Sequence, residues 1–364
     1  MIKDKLKQII PSPIWNQLRR VANNYLGLRQ AAVKQAKRFG KYYSKPNGKG
    51  EKQVEARLIF FTHQIEKGLS HLNFRYGFGH KALSDLADIM QVYRTVNPSY
   101  KKSQSYKSAL AALNEYVSRH QGHEDNIAYV KQLFDGNTWP EILNESSRCG
   151  GSIILSPESK AHNSSLTFCE LSENRHSVRE YSSQPVTYDE LLKAIKIAMR
   201  TPSVCNRQPT RIHVILDKDL IKKALSVQGG FNGYPLPPAL LLITADNRVF
   251  LSPQERNEGF TDGGLFGMSL LLALEEESLA ACPLNTMMRR GPEAQTRKML
   301  NLPEYENLVM YIAVGHYPEV IKTCVSHRYD AVVPEKLRTL DRGRPWRDSQ
   351  FASTRLSPSR DMSR

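Results

Sequence analysis

Two short stretches hold residues whose types and spacing suit chemistry. The first, Arg175-His176-Ser177-Val178-Arg179, offers two guanidinium forks and a hydroxyl within five residues. That set suits a phosphate, which takes charge-assisted and preferably bidentate hydrogen bonds. The second, Pro202-Ser203-Val204-Cys205-Asn206-Arg207-Gln208-Pro209, carries two carboxamides two residues apart in a loop bounded by prolines. A carboxamide gives both a donor and an acceptor. The carbonyl, N–H, carbonyl edge of a flavin calls for that alternation. Singly, each pattern has an ordinary reading: Arg-x-Ser-x-Arg arises by chance, and a loop Asn commonly satisfies its own backbone. In this order, about thirty residues apart across one helical pattern, the ordinary readings become poor.

Other chemistries find less support. Gly263-Gly264-x-x-Gly267 lies inside a helical pattern, and no G-x-G-x-x-G follows a strand, so a dinucleotide fold is disfavoured. No G-x-S-x-G or G-K-[ST] loop occurs. His120-Gln121-Gly122-His123-Glu124 has metal-ligating residue types but no third ligand nearby, and it reads as a solvated loop; no metal is expected. The five cysteines form no C-x-x-C pair, which speaks for a reducing cytoplasm over a disulfide framework. Cys205 reads as a buried packing cysteine.

The elements that must position these groups follow from periodicity. Thr187-Tyr188-Asp189-Glu190 is a capping box that opens a helix through Met199. Arg211–Leu216, Ala239–Ala245 and Leu308–Val314 read as strands, the last ended by Gly315. Between the last two runs a helix with Phe260, Leu265, Met268, Leu271, Leu272 and Leu274 as its apolar body. This mixture predicts an α+β fold around one sheet. Residues 51–135 read as helices, with stripes at Val54/Leu58/Phe61/Ile65, Leu83/Leu86/Ile89/Val92, Leu110/Leu113/Val117 and Ile127/Val130/Phe134. A denser patch, His63 to Leu69 and then Phe74 to Gly79, has two readings. It is a capped helix end with a glycine turn, or His63, Glu66, Lys67 or Arg75 reaches a ligand in the other domain.

Over roughly residues 170–330 the sequence resembles the nitroreductase family of FMN enzymes. The resemblance runs through Arg175, Ser177 and Arg179, then Pro202, Ser203, Asn206, Gln208 and Pro209, then the strand at 239–245. It ends with Gly315-His316-Tyr317-Pro318 and the late basic group Ser326-His327-Arg328. It implies a central mixed sheet flanked by helices, here with an α-helical N-terminal domain that the minimal family enzyme lacks. It implies that Arg175, Ser177 and Arg179 bind the FMN phosphate and the ribityl or pyrimidine side, with Arg328 a second phosphate donor. Ser203, Asn206 and Gln208 would line the flavin, and Asn285, in Pro283-Leu284-Asn285-Thr286, would lie in the loop facing flavin N5. It further implies NAD(P)H as electron donor, a ping-pong reduction of a small-molecule acceptor, and a homodimer with FMN at the interface. That scheme requires no dedicated acid or base, and none is singled out. Two departures stand: Thr210 follows Gln208-Pro209 where the family usually has an aromatic residue, and the N5 loop lacks a glycine. A rival reading keeps the flavin but makes the chain a regulatory or scaffold module of a membrane-associated biosynthetic system, with little or no turnover.

Length and charge complete the organisation. The 364 residues carry a net charge of +15, of which residues 1–50 hold +11, twelve Lys/Arg against Asp4 alone. The remaining 314 residues are nearly balanced, so the folded body lacks the basic surface of a nucleic-acid enzyme, and no nucleic acid is expected. In the arm, Ser12-Pro13 reads as a helix start, and Ile14, Leu18, Val21, Tyr25 and Leu28 form a stripe beside Arg19 and Arg20. Such a basic amphipathic helix docks on its own protein or on an anionic membrane surface. The expected organisation is arm and linker at 1–50, helical domain at 51–135, connector at 136–170, FMN domain at 171–332 and a polar, disordered tail at 333–364. No early apolar stretch marks a secretory signal, so the protein is expected in the cytoplasm, in part peripheral to the membrane.

Overall fold

The computed structural model describes residues 10–328, apart from the side chains of residues 19 and 21–23. The expected tail at 333–364 lies outside the described residues, as do residues 1–9 of the arm and 329–332. The arm forms α1 (Ser12–Val21), a π-helical turn (Ala22–Leu26) and α2 (Gly27–Tyr42). Its stripe residues Ile14, Leu18, Tyr25 and Leu28 are exposed. Gln35 on α2 reaches the body, its Oε1 accepting from Arg256 and Asn257.

The helical region packs α3 (Glu51–Leu69), α4 (His80–Val96) and α5 (Gln104–Ser118) around one core, with the short α6 (Val130–Leu133) and α7 (Thr138–Asn144) against it. Leu58, Ile65, Leu83, Leu86 and Leu113 interlock there with Tyr93, Tyr106 and Tyr116, as the spacing predicts. Val92 departs from its stripe and is exposed. The α3–α4 turn needs glycine at Gly77 and Gly79, where φ is 72° and 83°. His120 corrects the expectation of a solvated loop. It is fully buried, donating from Nδ1 to the Tyr116 carbonyl and accepting at Nε2 from the Gly77 amide. A buried polar ring persists because both nitrogens are satisfied.

The sheet runs β2 (Thr210–Ile215), β3 (Ala239–Asp246), β5 (Glu306–His316), β4 (Leu279–Asn285), each neighbour antiparallel. A parallel bridge between Ser177 and Ala281 gives it its mixed character. Every residue of β3 is buried, because helices cover both faces. On one face lie α9 (Tyr188–Ala198) and α11 (Glu258–Glu276); on the other lie α10 (Lys218–Gln228) and α12 (Arg290–Met299). The capping box opens α9 as expected, with Thr187 N donating to Glu190 Oε2 at 2.7 Å.

α11 keeps Leu271 and Leu274 of its expected apolar body buried but not Phe260, Leu265 and Met268. It meets the sheet through Gly259, Gly263 and Gly267 together with Phe266, Leu270 and Leu274, all buried. A Cβ at Gly263 would sit 2.7 Å from Val309, so the close approach requires glycine. Phe260, Leu265 and Met268 stand on the opposite side, 37%, 49% and 44% exposed. The stretch 136–170 contributes more than a connection. Its β1 (Ser152–Leu155) pairs antiparallel with β6 (Ile321–Cys324), and Lys160 and Asn163 are buried against Glu275. The helix α8 (Phe168–Asn174) follows.

Candidate active site

A cavity of about 980 Å³ lies between α3 and α5 on one side and the segment after α8 and the exit of β6 on the other. Arg175, Ser177, Arg179 and Arg328, distant in sequence, line it together. The Arg175 segment is held from several directions. Val178 N donates to the Ala281 carbonyl on β4 at 3.1 Å, and Thr323 Oγ1 donates to the Ser177 carbonyl at 2.9 Å. His176 Nδ1 donates to the Asn174 carbonyl at 2.7 Å. Beneath it, the Lys160 ammonium is buried against Glu275 Oε1 at 2.6 Å and also reaches the Asn174 carbonyl, while Tyr317 Oη donates to Glu275 Oε2 at 2.7 Å. A buried pair satisfied this fully works as a fixed post, and removing one partner leaves a costly lone charge. Extended backbone alternates sides, so Ser177 and Arg179 face the cavity while Val178 is buried behind them.

Positive charge collects in this cavity. Among the described residues, no carboxylate forms an ion pair with Arg175, Arg179 or Arg328. Burial pushes the Arg175 pKa down, Glu275 opposes that, and the Arg328 guanidinium adds to it. The group stays cationic. Burial also pushes His176 below the ordinary histidine value, helped by Lys160, Arg175 and Arg328. Three arginines on one cavity, none in an ion pair with a carboxylate among the described residues, fit a bound anion such as a phosphate.

The second motif lies elsewhere. Ser203, Asn206 and Gln208 do not line this cavity. Their loop sits at the start of α11, where the Val204 amide donates to both Asp262 carboxylate oxygens at 3.2 Å. Ser203 Oγ accepts from Gln208 N at 2.9 Å, and Arg207 pairs with Glu255 at 2.8 Å. These contacts hold Cys205, Asn206 and Gln208 at φ of 46°, 55° and 51°. Left-handed backbone at non-glycine residues costs of order 1–3 kcal/mol each and collects at functional loops. Cys205 is exposed there, against the expectation of a buried packing cysteine. Glu275, beside Arg175, is thirteen residues along α11 from Asp262, roughly 20 Å at the helical rise. Asn285 is exposed at the end of β4, outside the cavity, its carbonyl accepting from Gln228 Nε2 at 3.1 Å.

The α3 patch is a helix end with a glycine turn, as the first reading has it, and its His63 and Glu66 also line the cavity wall with Thr62. Lys67 and Arg75 instead line a neighbouring 360 Å³ cavity with Tyr234. His63 Nδ1 lies 3.1 Å from Glu66 Oε2, and Glu66 Oε1 accepts from Gly151 N at 3.2 Å. The ligating atoms of His63, Glu66 and Cys324 lie within 4.8 Å of one another. Burial raises the Cys324 thiol to about 11, and Arg179 Nη1 donates to its sulfur at 3.5 Å. A guanidinium on the thiol makes this corner a poor place for a cation. Gln104 and Ser108 of α5 and Met268 of α11 also line the cavity, and no motif in the sequence marked them.

An α+β domain with helices on both sheet faces and an arginine-lined cavity at its edge defines the class. Residues 173–230 and 235–316 match the model of the nitroreductase family. The chain is 26% identical over 158 residues to the FMN reductase [NAD(P)H] of Bacillus subtilis, a match covering 39% of this chain and 63% of that one. It thus spans less than two thirds of that relative. Among solved structures, an FMN-dependent nitroreductase of Clostridium difficile R20291 is similar at 19% identity and a TM-score of 0.39, covering 47% of this chain and 97% of that one. A nitroreductase family protein from Clostridium novyi NT is similar at 18% and 0.37, covering 42% and 87%.

Proposed function

We propose that the chain is an FMN-dependent oxidoreductase that takes electrons from NAD(P)H and passes them, in ping-pong order, to a small-molecule acceptor. The observation that carries this reading is the convergence of Arg175, Arg179 and Arg328 on one cavity without a carboxylate partner among the described residues. The printed name of the Bacillus relative supports flavin and nicotinamide as the redox pair. Arg175 and Arg328 would hold the phosphate, Ser177 the ribityl hydroxyls and Arg179 the pyrimidine side. FMN, when bound, supplies reversible hydride transfer. The chain's own part is to orient the nucleotide, keep water from its buried end and set fixed positive charge there.

We assign Ser203, Asn206 and Gln208 to the flavin of a second copy, which makes the enzyme a homodimer. Their loop stands at the far end of α11 from Arg175, and the exposed Leu265 and Met268 lie along the helix between the two. In this reading residues 51–135 are a helical domain, residues 136–170 a connector that also braces the arginine segment, and residues 171–332 the FMN domain. No helix of the described residues is long and apolar enough to cross a membrane. We place the protein in the cytoplasm, with the arm at residues 1–50 touching anionic membrane surface. Each Lys or Arg near such a surface contributes about 1 kcal/mol at low salt. Vesicle co-sedimentation with and without residues 1–50 tests the arm: equal binding by both chains makes it structural.

Absorbance tests the function. The purified protein, incubated with FMN and desalted, should show oxidised-flavin bands that NADH or NADPH bleaches anaerobically. A protein that stays colourless refutes the reading.

A further inference from the structure

We propose that His63, carried by the helical region, is a catalytic proton donor to the acceptor, held in place by Glu66. This rests on the oxidoreductase reading above. His63 is the imidazole that α3 places on the wall of the arginine-lined cavity, and its side chain is 37% exposed, whereas Glu66 behind it is 4% exposed. The Glu66 carboxylate has both oxygens engaged, Oε1 by the Gly151 amide and Oε2 by His63 Nδ1 at 3.1 Å. In this pairing Nδ1 donates to Oε2, and Ser326 Oγ at 3.5 Å lies on the same edge of the ring. Among the described residues nothing hydrogen-bonds Nε2, which is left on the open edge of the ring. A carboxylate behind one ring nitrogen fixes the tautomer and the orientation of the ring. That arrangement makes a general acid–base group.

The chemistry has a use for such a group. An acceptor with a carbonyl or nitro oxygen, such as a quinone, takes a hydride and one further proton to become a hydroquinone. In the oxidoreductase reading NAD(P)H would be the reductant, and FMN, when bound, would supply the hydride. The Nε2–H bond of the imidazolium breaks, an O–H bond forms on the acceptor, and water at the cavity mouth returns the proton to Nε2. The arginines cannot do this, since a guanidinium does not give up its proton in proteins. Cys324 is buried and its thiol is raised to about 11, so it holds its proton.

The test separates proton transfer from structure. Full-length protein, loaded with FMN and reduced with NADPH, is reoxidised in stopped flow by 1,4-benzoquinone, which needs a proton, or by ferricyanide, which needs none. His63→Gln should retain FMN and its ferricyanide rate while its benzoquinone rate falls about 100-fold, within the range general acids supply. Equal benzoquinone rates in the two proteins overturn the proposal. A matching fall with ferricyanide also overturns it and makes His63 structural. Histidine ¹⁵N shifts of the flavin-free, unsubstituted protein give a second readout: His63 should show the Nδ1–H tautomer, and Glu66→Gln should lose that preference. An Nε2–H tautomer in the intact protein overturns the proposal. Failure to bind FMN or to reduce ferricyanide refutes instead the oxidoreductase reading beneath it.

Discussion

Arg175 lines the cavity with Arg328, feels the charge of Glu275 and of Arg328, and forms no ion pair with a carboxylate among the described residues. Asn206 is exposed on a loop bounded by prolines and offers a neutral carboxamide. Losing a charged fork from a phosphate costs about 1.5–3 kcal/mol, and losing a neutral hydrogen-bond pair about 0.5–1.5 kcal/mol. Arg175→Ala should therefore weaken FMN by the larger amount, measured by flavin fluorescence on titration; equal or reversed losses would remove the phosphate role. Arg175, Ser177 and Arg179 were legible because one extended segment carries all three, and alternation turns Ser177 and Arg179 to one side. His63 was legible only as part of a dense polar patch. Its role depends on a cavity wall supplied by residues more than a hundred positions later, and no local pattern encodes that.

The elements that place these residues depend on close approach. α11 lies on the sheet through three glycines at four-residue spacing, and Val309 leaves no room above Gly263. Gly263→Val should cost about 2 kcal/mol by overpacking, read as a lower urea midpoint at unchanged slope. An unchanged midpoint would mean that the helix rides free of β5. The sequence shows the helix, and Leu271 and Leu274 are buried as it predicts, but its first half is turned the wrong way, since glycine carries no hydropathy and the exposed Phe260 and Leu265 do. The same blindness hid β1, four residues whose partner β6 is more than 160 positions away. The helical region also closes the cavity with Thr62, His63, Glu66 and Gln104, and its contacts reach deep into the other part. Ser70 and the Lys67 carbonyl engage Tyr234, and Glu180 binds both His71 and the Leu72 amide. A chain cut to residues 151–328 should expose that surface, precipitate readily and retain little FMN. A soluble, fully loaded fragment would refute this role for the helical region.

For the whole molecule, the decisive feature is that one chain carries its two conspicuous motifs at opposite ends of α11. Arg175 is braced near Glu275, and the Ser203–Gln208 loop is pinned to Asp262, roughly 20 Å away along the helix. The strained backbone of that loop is maintained by Asp262 and Glu255, although its carboxamides meet little of their own chain. Between the two ends the helix exposes Leu265 and Met268, an apolar face of the kind that marks a protein contact. A second copy related by a two-fold axis across this face would bring each loop to the other copy's arginines, because a two-fold contact repeats every pairing in both directions. This geometry predicts complementation. Arg175→Ala and Asn206→Ala, each weak in FMN as a homodimer, should form mixed dimers in which one site collects both substitutions and the other collects neither. Co-expressed chains with different affinity tags, purified through both, should then bind close to one tight FMN per dimer. If the mixed dimer binds no better than its parents, both motifs serve the same chain's site and the two-fold assignment fails.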